Sequence, residues 1–190
     1  MSALPIAPAA GPHILDRVRI DFLFLDLTTC TRCLGADRSL ESALETVGDV
    51  LRASGTEVEV NKVLVESAEQ ARALRFVSSP TIRVDGYDIA LELRESSCGS
   101  EACTDGCGAQ TACRVWVHAG VEYTDPPVAM VVDAILRRVY GDAPAAGATR
   151  PAHYRLPENL ARFFAGKAGS ASSSQRACCG DAAEAGCGCR

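Results

Sequence analysis

A nearly continuous apolar run, followed closely by two cysteines, limits the folds that this chain can adopt. Residues 18–27 read VRIDFLFLDL, and Cys30 and Cys33 follow within LDLTTCTRCLG. Such a run is typical of a central strand that is covered on both faces. The fold must therefore bury this strand inside a sheet and place the Cys-x-x-Cys pair just after the strand ends.

The segments after the pair alternate between helical and strand patterns. Residues 37–55 carry apolar side chains at helical spacing and predict an amphipathic helix that ends near Gly55. Residues 56–67 predict a strand, and residues 67–76 predict a short helix with Ser67 as N-cap.

A proline turn and a hairpin come next in the pattern. A short strand follows Pro80 and ends in an Asp-Gly turn at residues 85–86, and residues 87–95 are expected to pair with it. Residues 113–123 resume strand character with a turn at residues 119–120. A last amphipathic helix is expected after Asp125, which is a plausible cap.

This order of elements is the order of the thioredoxin fold, and it satisfies the handedness and neighbour rules for short connections. We therefore expect an α/β, thioredoxin-like domain over residues 18–141, with a Cys-rich insertion at 97–113. Residues 1–17 form an N-terminal extension. A linker rich in Ala, Gly, Pro and Ser, with one short helix, spans 142–174, and a flexible Cys-rich tail spans 175–190.

The Cys-x-x-Cys pair suits thiol–disulfide exchange. A thiolate near a helix N-terminus is stabilised by the helix dipole, and Arg32 would add positive charge. Cys30 would then be the attacking thiolate, and Cys33 would resolve the mixed disulfide. The sequence also allows an alternative: if the helix begins only after Asp37, the pair lies in a loop and suits a metal or metalloid ligand pair equally well.

The stretch SSPT at residues 78–81 adds to the redox hypothesis. In thioredoxin-like proteins, the residue before a cis-proline presents its backbone to the substrate beside the redox pair. That resemblance implies that Pro80 is cis and that Ser79 faces the cysteines. The alternative is an ordinary trans proline that opens a strand.

The chain has ten cysteines, and the remaining eight fall into two further clusters. Four in a tight loop suit structural zinc, with two disulfides as the alternative, and the four in the tail suit soft ions such as mercury(II), copper(I) or arsenic(III). A swinging tail could pass electrons or a soft metal to the Cys30 and Cys33 pair. The candidate metal ligands are Cys98, Cys103, Cys107 and Cys113 in the loop, and Cys178, Cys179, Cys187 and Cys189 in the tail.

Charge and hydropathy exclude some partners. The formal net charge of −5 and the pI of about 5.2 argue against a nucleic-acid or anionic-membrane surface. The sequence shows no secretory leader and no membrane span, so we expect a cytoplasmic protein, whose thiols are kept reduced. No pattern indicates an oligomeric state.

Three stretches resemble a bacterial thioredoxin-like domain family of unknown function: LDLTTCTRCLGADRSLESAL, VSSPTIRVDGYDIALELRESSC and CRVWVHAGVEY. The resemblance covers roughly residues 18–141, leaves out the Cys-rich tail, and implies the thioredoxin-like architecture and the importance of the Cys30 and Cys33 region. It supplies no substrate.

Our leading hypothesis is a thioredoxin-like thiol–disulfide oxidoreductase that acts on a disulfide or on a thiol-bound metal or metalloid adduct. The alternative is a non-enzymatic soft-metal or metalloid binding or transfer protein that uses the pair and the tail as ligands. A redox-sensing adaptor whose tail pairs with Cys30 or Cys33 ranks third.

Overall fold

Seven strands and four helices make up the part of the chain that the computed structural model describes, which is residues 17–97, 99, 111–141 and 153–176. Mixed α/β architecture follows, and the predicted α/β class is confirmed. The elements are β1 (Arg17–Phe24), α1 (Thr31–Ala53), β2 (Glu57–Leu64), α2 (Ala68–Ala73), β3 (Thr81–Val84), β4 (Tyr87–Asp88), β5 (Arg94–Ser97), β6 (Ala112–His118), β7 (Val121–Tyr123), α3 (Val128–Tyr140) and α4 (Glu158–Arg176).

The main sheet is mixed and has the order β2-β1-β3-β4. Strand β1 pairs in parallel with β2 along its whole length and antiparallel with β3 on its other side. Its alternating side chains serve two cores: Phe22 belongs to a cluster with α1 and α3, whereas Leu23 belongs to a second cluster with α2 and α4. Strand β1 is therefore covered on both faces, as its apolar run predicts.

The hairpin expected over residues 81–95 forms only in part. Strand β3 turns at residues 85–86 and pairs with the two residues of β4 alone. The Asp88 carboxylate accepts the N–H of Ala90 and bends the chain away. Strand β5 then joins β6 and β7 in a separate antiparallel sheet of order β5-β6-β7. The expectation that residues 87–95 all pair with β3 is wrong, because alternation identifies a strand without specifying its partner.

Helices α1 and α3 pack together on one face of β1. Leu40, Val47 and Leu51 supply the buried stripe of α1, and Val131 and Ile135 belong to that of α3. Amphipathic periodicity thus predicts which helical faces are buried.

Helix α4 packs on the opposite side of β1, through its N-terminal half. Leu160, Phe163 and Phe164 are buried there, against a cluster that includes Phe76. The hydroxyl of Tyr154 donates to the Phe76 carbonyl at 2.6 Å and fixes the segment that leads into the helix. The helix continues to residue 176, beyond the predicted end of the linker at 174. Among the described residues, no helix combines the length and the apolar character that crossing a bilayer requires.

Candidate functional site

The Cys-x-x-Cys pair lies at the N-terminal end of α1. Cys30 is the N-cap, and its Sγ accepts the backbone N–H of Cys33 at 3.4 Å. Both side chains are fully buried. Unpaired N–H groups and the positive end of the helix dipole favour negative charge on a sulfur in the N-cap position. Cys30 therefore occupies the place that suits an attacking thiolate.

Helix α1 starts earlier than one sequence alternative supposed. It begins at Thr31, so the alternative in which the helix begins only after Asp37 and the pair lies in a loop is wrong. Gly35, unfavourable inside an isolated helix, is explained by a tertiary contact. A Cβ on Gly35 would lie 2.1 Å from Oδ1 of Asp125, so a side chain at that position would collide with the Asp125 carboxylate.

Asp26 shapes the loop that leads to the pair. Its Oδ1 accepts the backbone N–H groups of Thr28, Thr29 and Cys30 at 2.7, 2.7 and 3.2 Å. Burial alone would raise the pKa of Asp26, but the hydrogen bonds from these N–H groups and from the Thr28 hydroxyl outweigh burial and lower it. Through these hydrogen bonds, Asp26 stabilises the conformation of the loop that leads from β1 to Cys30 at the N-cap of α1.

The two thiols differ in their electrostatic setting. A hydrogen bond to the Cys30 sulfur raises the pKa of Cys33, and burial and the charge of Cys30 raise it further. The Ser79 hydroxyl, whose Oγ lies 3.4 Å from the Cys33 Sγ, acts in the opposite direction. Cys33 is therefore the thiol whose pKa is raised, because the neighbouring Cys30 and burial both oppose its ionisation.

The turn at residues 78–81 brings Ser79 beside the cysteines. The Ser79–Pro80 peptide bond is cis. Ser79 is fully buried, and its Oγ accepts the Leu25 N–H at 3.2 Å while it contacts Cys33. The Ser79 carbonyl accepts the N–H of Arg114 in β6 at 2.7 Å. One residue thus links β1, the Cys pair and the second sheet.

Arg32, between the two cysteines, ties α1 to the second sheet. Its Nη1 donates to the carbonyls of Cys113 and Arg114 at 3.1 and 3.2 Å. Its Nη2 donates to Ser96 Oγ and to the Ser97 carbonyl, each at 2.8 Å. The guanidinium therefore serves as a buried clamp on β5 and β6, and its influence on the charge of the pair stays a prediction.

One cysteine of the predicted zinc loop belongs to the described residues. Cys113 is fully buried in the same apolar cluster as Cys30 and Cys33. Within the described ranges, no three His, Cys, Asp or Glu side chains could hold a metal ion together. The zinc and soft-metal sites stay predictions, and these candidate ligands lie outside the described residues: Cys98, Cys103, Cys107, Cys178, Cys179, Cys187 and Cys189.

Asp125 is a site residue that the sequence reasoning assigned differently. Its predicted role as N-cap of α3 is wrong, because Pro127 holds that position without a side-chain cap. The carboxylate lies instead against α1 at Gly35, near Cys30. Glycine in the first turns of an otherwise regular helix was the signal for such a close approach, although it did not identify the partner.

A family model described as a domain of unknown function, DUF2703, matches residues 18–135. The chain belongs to the DUF2703 family. This finding confirms that the resemblance is to a domain family of unknown function. The DUF2703 region holds the pair, the Ser79–Pro80 turn, both sheets and Asp125, and it ends before α4 and the tail. The search of curated proteins and the search of solved structures each returned no match to the chain.

Proposed function

We propose that this DUF2703 domain is a thioredoxin-like thiol–disulfide oxidoreductase that acts on a disulfide or on a thiol-bound metal or metalloid adduct. The order of elements supports the thioredoxin-like assignment: β1, the Cys pair and α1, then a parallel β2, then α2, a cis-proline turn, an antiparallel β3 and β4, and α3. The pair and the turn meet at one end of the sheet, as Ser79 touches Cys33.

The asymmetry between the two thiols is the observation that carries the proposal. The Sγ of Cys30 occupies the N-cap position and accepts the Cys33 backbone N–H, whereas the Sγ of Cys33 lies inside the first turn, 3.4 Å from the Ser79 Oγ. The helix terminus stabilises a thiolate at Cys30, and the raised pKa of Cys33 favours a thiol there that can later resolve the mixed disulfide.

The reaction that follows is a two-step exchange. The Cys30 thiolate attacks one sulfur of the substrate disulfide, and the other substrate sulfur leaves as a thiolate that takes a proton from solvent. Cys33 then loses its proton and attacks the Cys30 sulfur, which releases the second substrate thiol. Two electrons pass to the substrate, and a dithiol donor must later reduce the Cys30–Cys33 disulfide. Because Cys30 is fully buried, the surrounding segments must open before the substrate reaches its sulfur.

Reduction of insulin or of a small aromatic disulfide tests the proposal. We expect turnover by the wild type, none by Cys30→Ser, and a trapped mixed disulfide with Cys33→Ser. Asp133→Asn is the control, since it removes a carboxylate of α3 that pairs with Arg137 away from the pair, and it should keep its turnover. A folded, fully reduced wild type that reduces neither substrate would refute the proposal that the domain is an enzyme.

A soft-metal or metalloid binding or transfer protein is the second candidate. Four cysteines in the last thirteen residues favour it, because thiolate sulfur prefers such ions. Native mass spectrometry after anaerobic purification should then show bound metal, part of which is lost when residues 177–190 are deleted. A chain that takes up no zinc, copper(I), mercury(II) or arsenic(III) would eliminate this candidate.

A further inference from the structure

Asp125 lies directly against the start of helix α1. The space that a Gly35 side chain would fill is taken by the Asp125 carboxyl group, since a Cβ there would lie 2.1 Å from Oδ1 and 2.2 Å from Cγ. Asp125 does not cap α3, because Pro127, two residues on, is the N-cap of that helix. The contact places a carboxylate on the helical end that also carries the Cys pair.

Three charged or titratable groups of α1 interact with Asp125: Cys30, Arg32 and Arg38. Burial is the largest influence and Cys30 adds to it, so the pKa of Asp125 is raised despite the opposing charges of Arg38 and Arg32. Arg32 donates its hydrogen bonds to β5 and β6, so it acts on Asp125 through its charge and not through a hydrogen bond. Arg38 and Arg32 limit that rise, and an ionised Asp125 carboxylate and a Cys30 thiolate repel each other.

This repulsion has a redox consequence. A pair whose thiolate is strongly stabilised has a stable dithiol form and therefore acts as an oxidant. A carboxylate near Cys30 works against that stabilisation and favours the disulfide form. We propose that Asp125 is a positioning residue that opposes the Cys30 thiolate and so makes the Cys30–Cys33 pair an electron donor to its substrates. The inference rests on the proposed function and adds the direction of electron flow.

Redox equilibrium with glutathione tests the inference. Wild type and variants are equilibrated at several ratios of reduced to oxidised glutathione at pH 7 and pH 8.5, and the dithiol fraction is measured by alkylation and mass spectrometry. We expect Asp125→Asn to shift the equilibrium constant towards the dithiol form by threefold to tenfold; a tenfold change corresponds to about 30 mV. The pH midpoint of Cys30 alkylation by iodoacetamide should fall by about half a unit to one unit.

Two further variants separate the charge from the packing. Gly35→Ala keeps the charge but forces the carboxylate away, so it should shift the equilibrium in the same direction. Asp133→Asn is the matched control, because it removes a carboxylate of α3 that pairs with Arg137, and it should leave the equilibrium unchanged. Asp125→Ser repeats the charge removal with a smaller side chain.

The outcomes distinguish the two proposals. If the wild type equilibrates with glutathione but both Asp125 variants and Gly35→Ala stay within twofold of it, with an unchanged alkylation profile, the inference is overturned. A shift towards the disulfide form in the Asp125 variants overturns it as well. If the wild type never forms a Cys30–Cys33 disulfide, the proposed function fails first.

Discussion

Replacing Arg32 tests whether the residue between the two cysteines is a structural clamp or only a charge. Its side chain is 8% exposed and donates four hydrogen bonds, of 2.8 to 3.2 Å, to three carbonyls and one hydroxyl of the second sheet. Arg32→Met removes the bonds and the charge. Arg32→Lys keeps the charge but lacks the planar fork that reaches several acceptors at once.

The expected change in the free energy of unfolding follows from the four acceptors that lose their hydrogen-bond donor. A hydrogen bond to a charged group contributes about 1.5–3 kcal/mol, and the four bonds of one guanidinium are not additive. We expect Arg32→Met to lower the free energy of unfolding by about 3 kcal/mol and Arg32→Lys by about 2 kcal/mol. For a domain of this size, a loss of 3 kcal/mol lowers Tm by about 10 °C.

Urea unfolding gives the free energies, and amide hydrogen exchange locates the change. Faster exchange should be confined to β5 and β6, while β1 stays protected. Arg32→Lys should also retain the wild-type rate of Cys30 alkylation, and Arg32→Met should lower that rate, because the sequence predicts that the charge of Arg32 favours the Cys30 thiolate. Variants that both unfold within 0.5 kcal/mol of the wild type, a margin typical of surface substitutions, would refute the clamp.

Two other substitutions test the loops around the pair. Ser79→Ala leaves the buried Leu25 N–H without its acceptor, so urea unfolding should show a free energy of unfolding that is lower by about 1–3 kcal/mol. It also removes the hydroxyl that lowers the Cys33 pKa, so the mixed disulfide should resolve more slowly. An unchanged free energy and an unchanged resolution rate would contradict this role of Ser79. Asp26→Ala should cost about 1–2 kcal/mol at pH 6. Because the folded pKa of Asp26 is lowered, its contribution is fully present above the unfolded pKa of about 4 and is lost as pH falls through the folded value. The gap between wild type and variant should therefore narrow from pH 6 to pH 3, and a gap independent of pH argues against the hydrogen-bonded carboxylate.

The sequence pattern correctly predicted those helices and strands whose signals come from residues close together in the chain. The apolar run of β1, the periodicity of α1 and α3, and the Ser67 cap of α2 all depend on residues a few positions apart. The start of α1 was harder to predict, because Gly35 weakens the helical pattern. The reason for a glycine there is the close approach of Asp125, which lies ninety residues away in the sequence. The strand partner was also missed for residues 87–95, because their alternation indicates a strand without specifying which strand it pairs with.

The order of apolar residues was enough to predict that the Cys30 and Cys33 pair follows a central strand and that the chain is α/β, because burial on both faces and helical periodicity each leave a pattern along the chain. The surroundings of the pair depend on tertiary packing. Arg32 reaches β5 and β6, and Asp125 reaches Gly35, through contacts between distant segments. Such contacts depend on how whole elements pack, and spacing along the chain does not encode them.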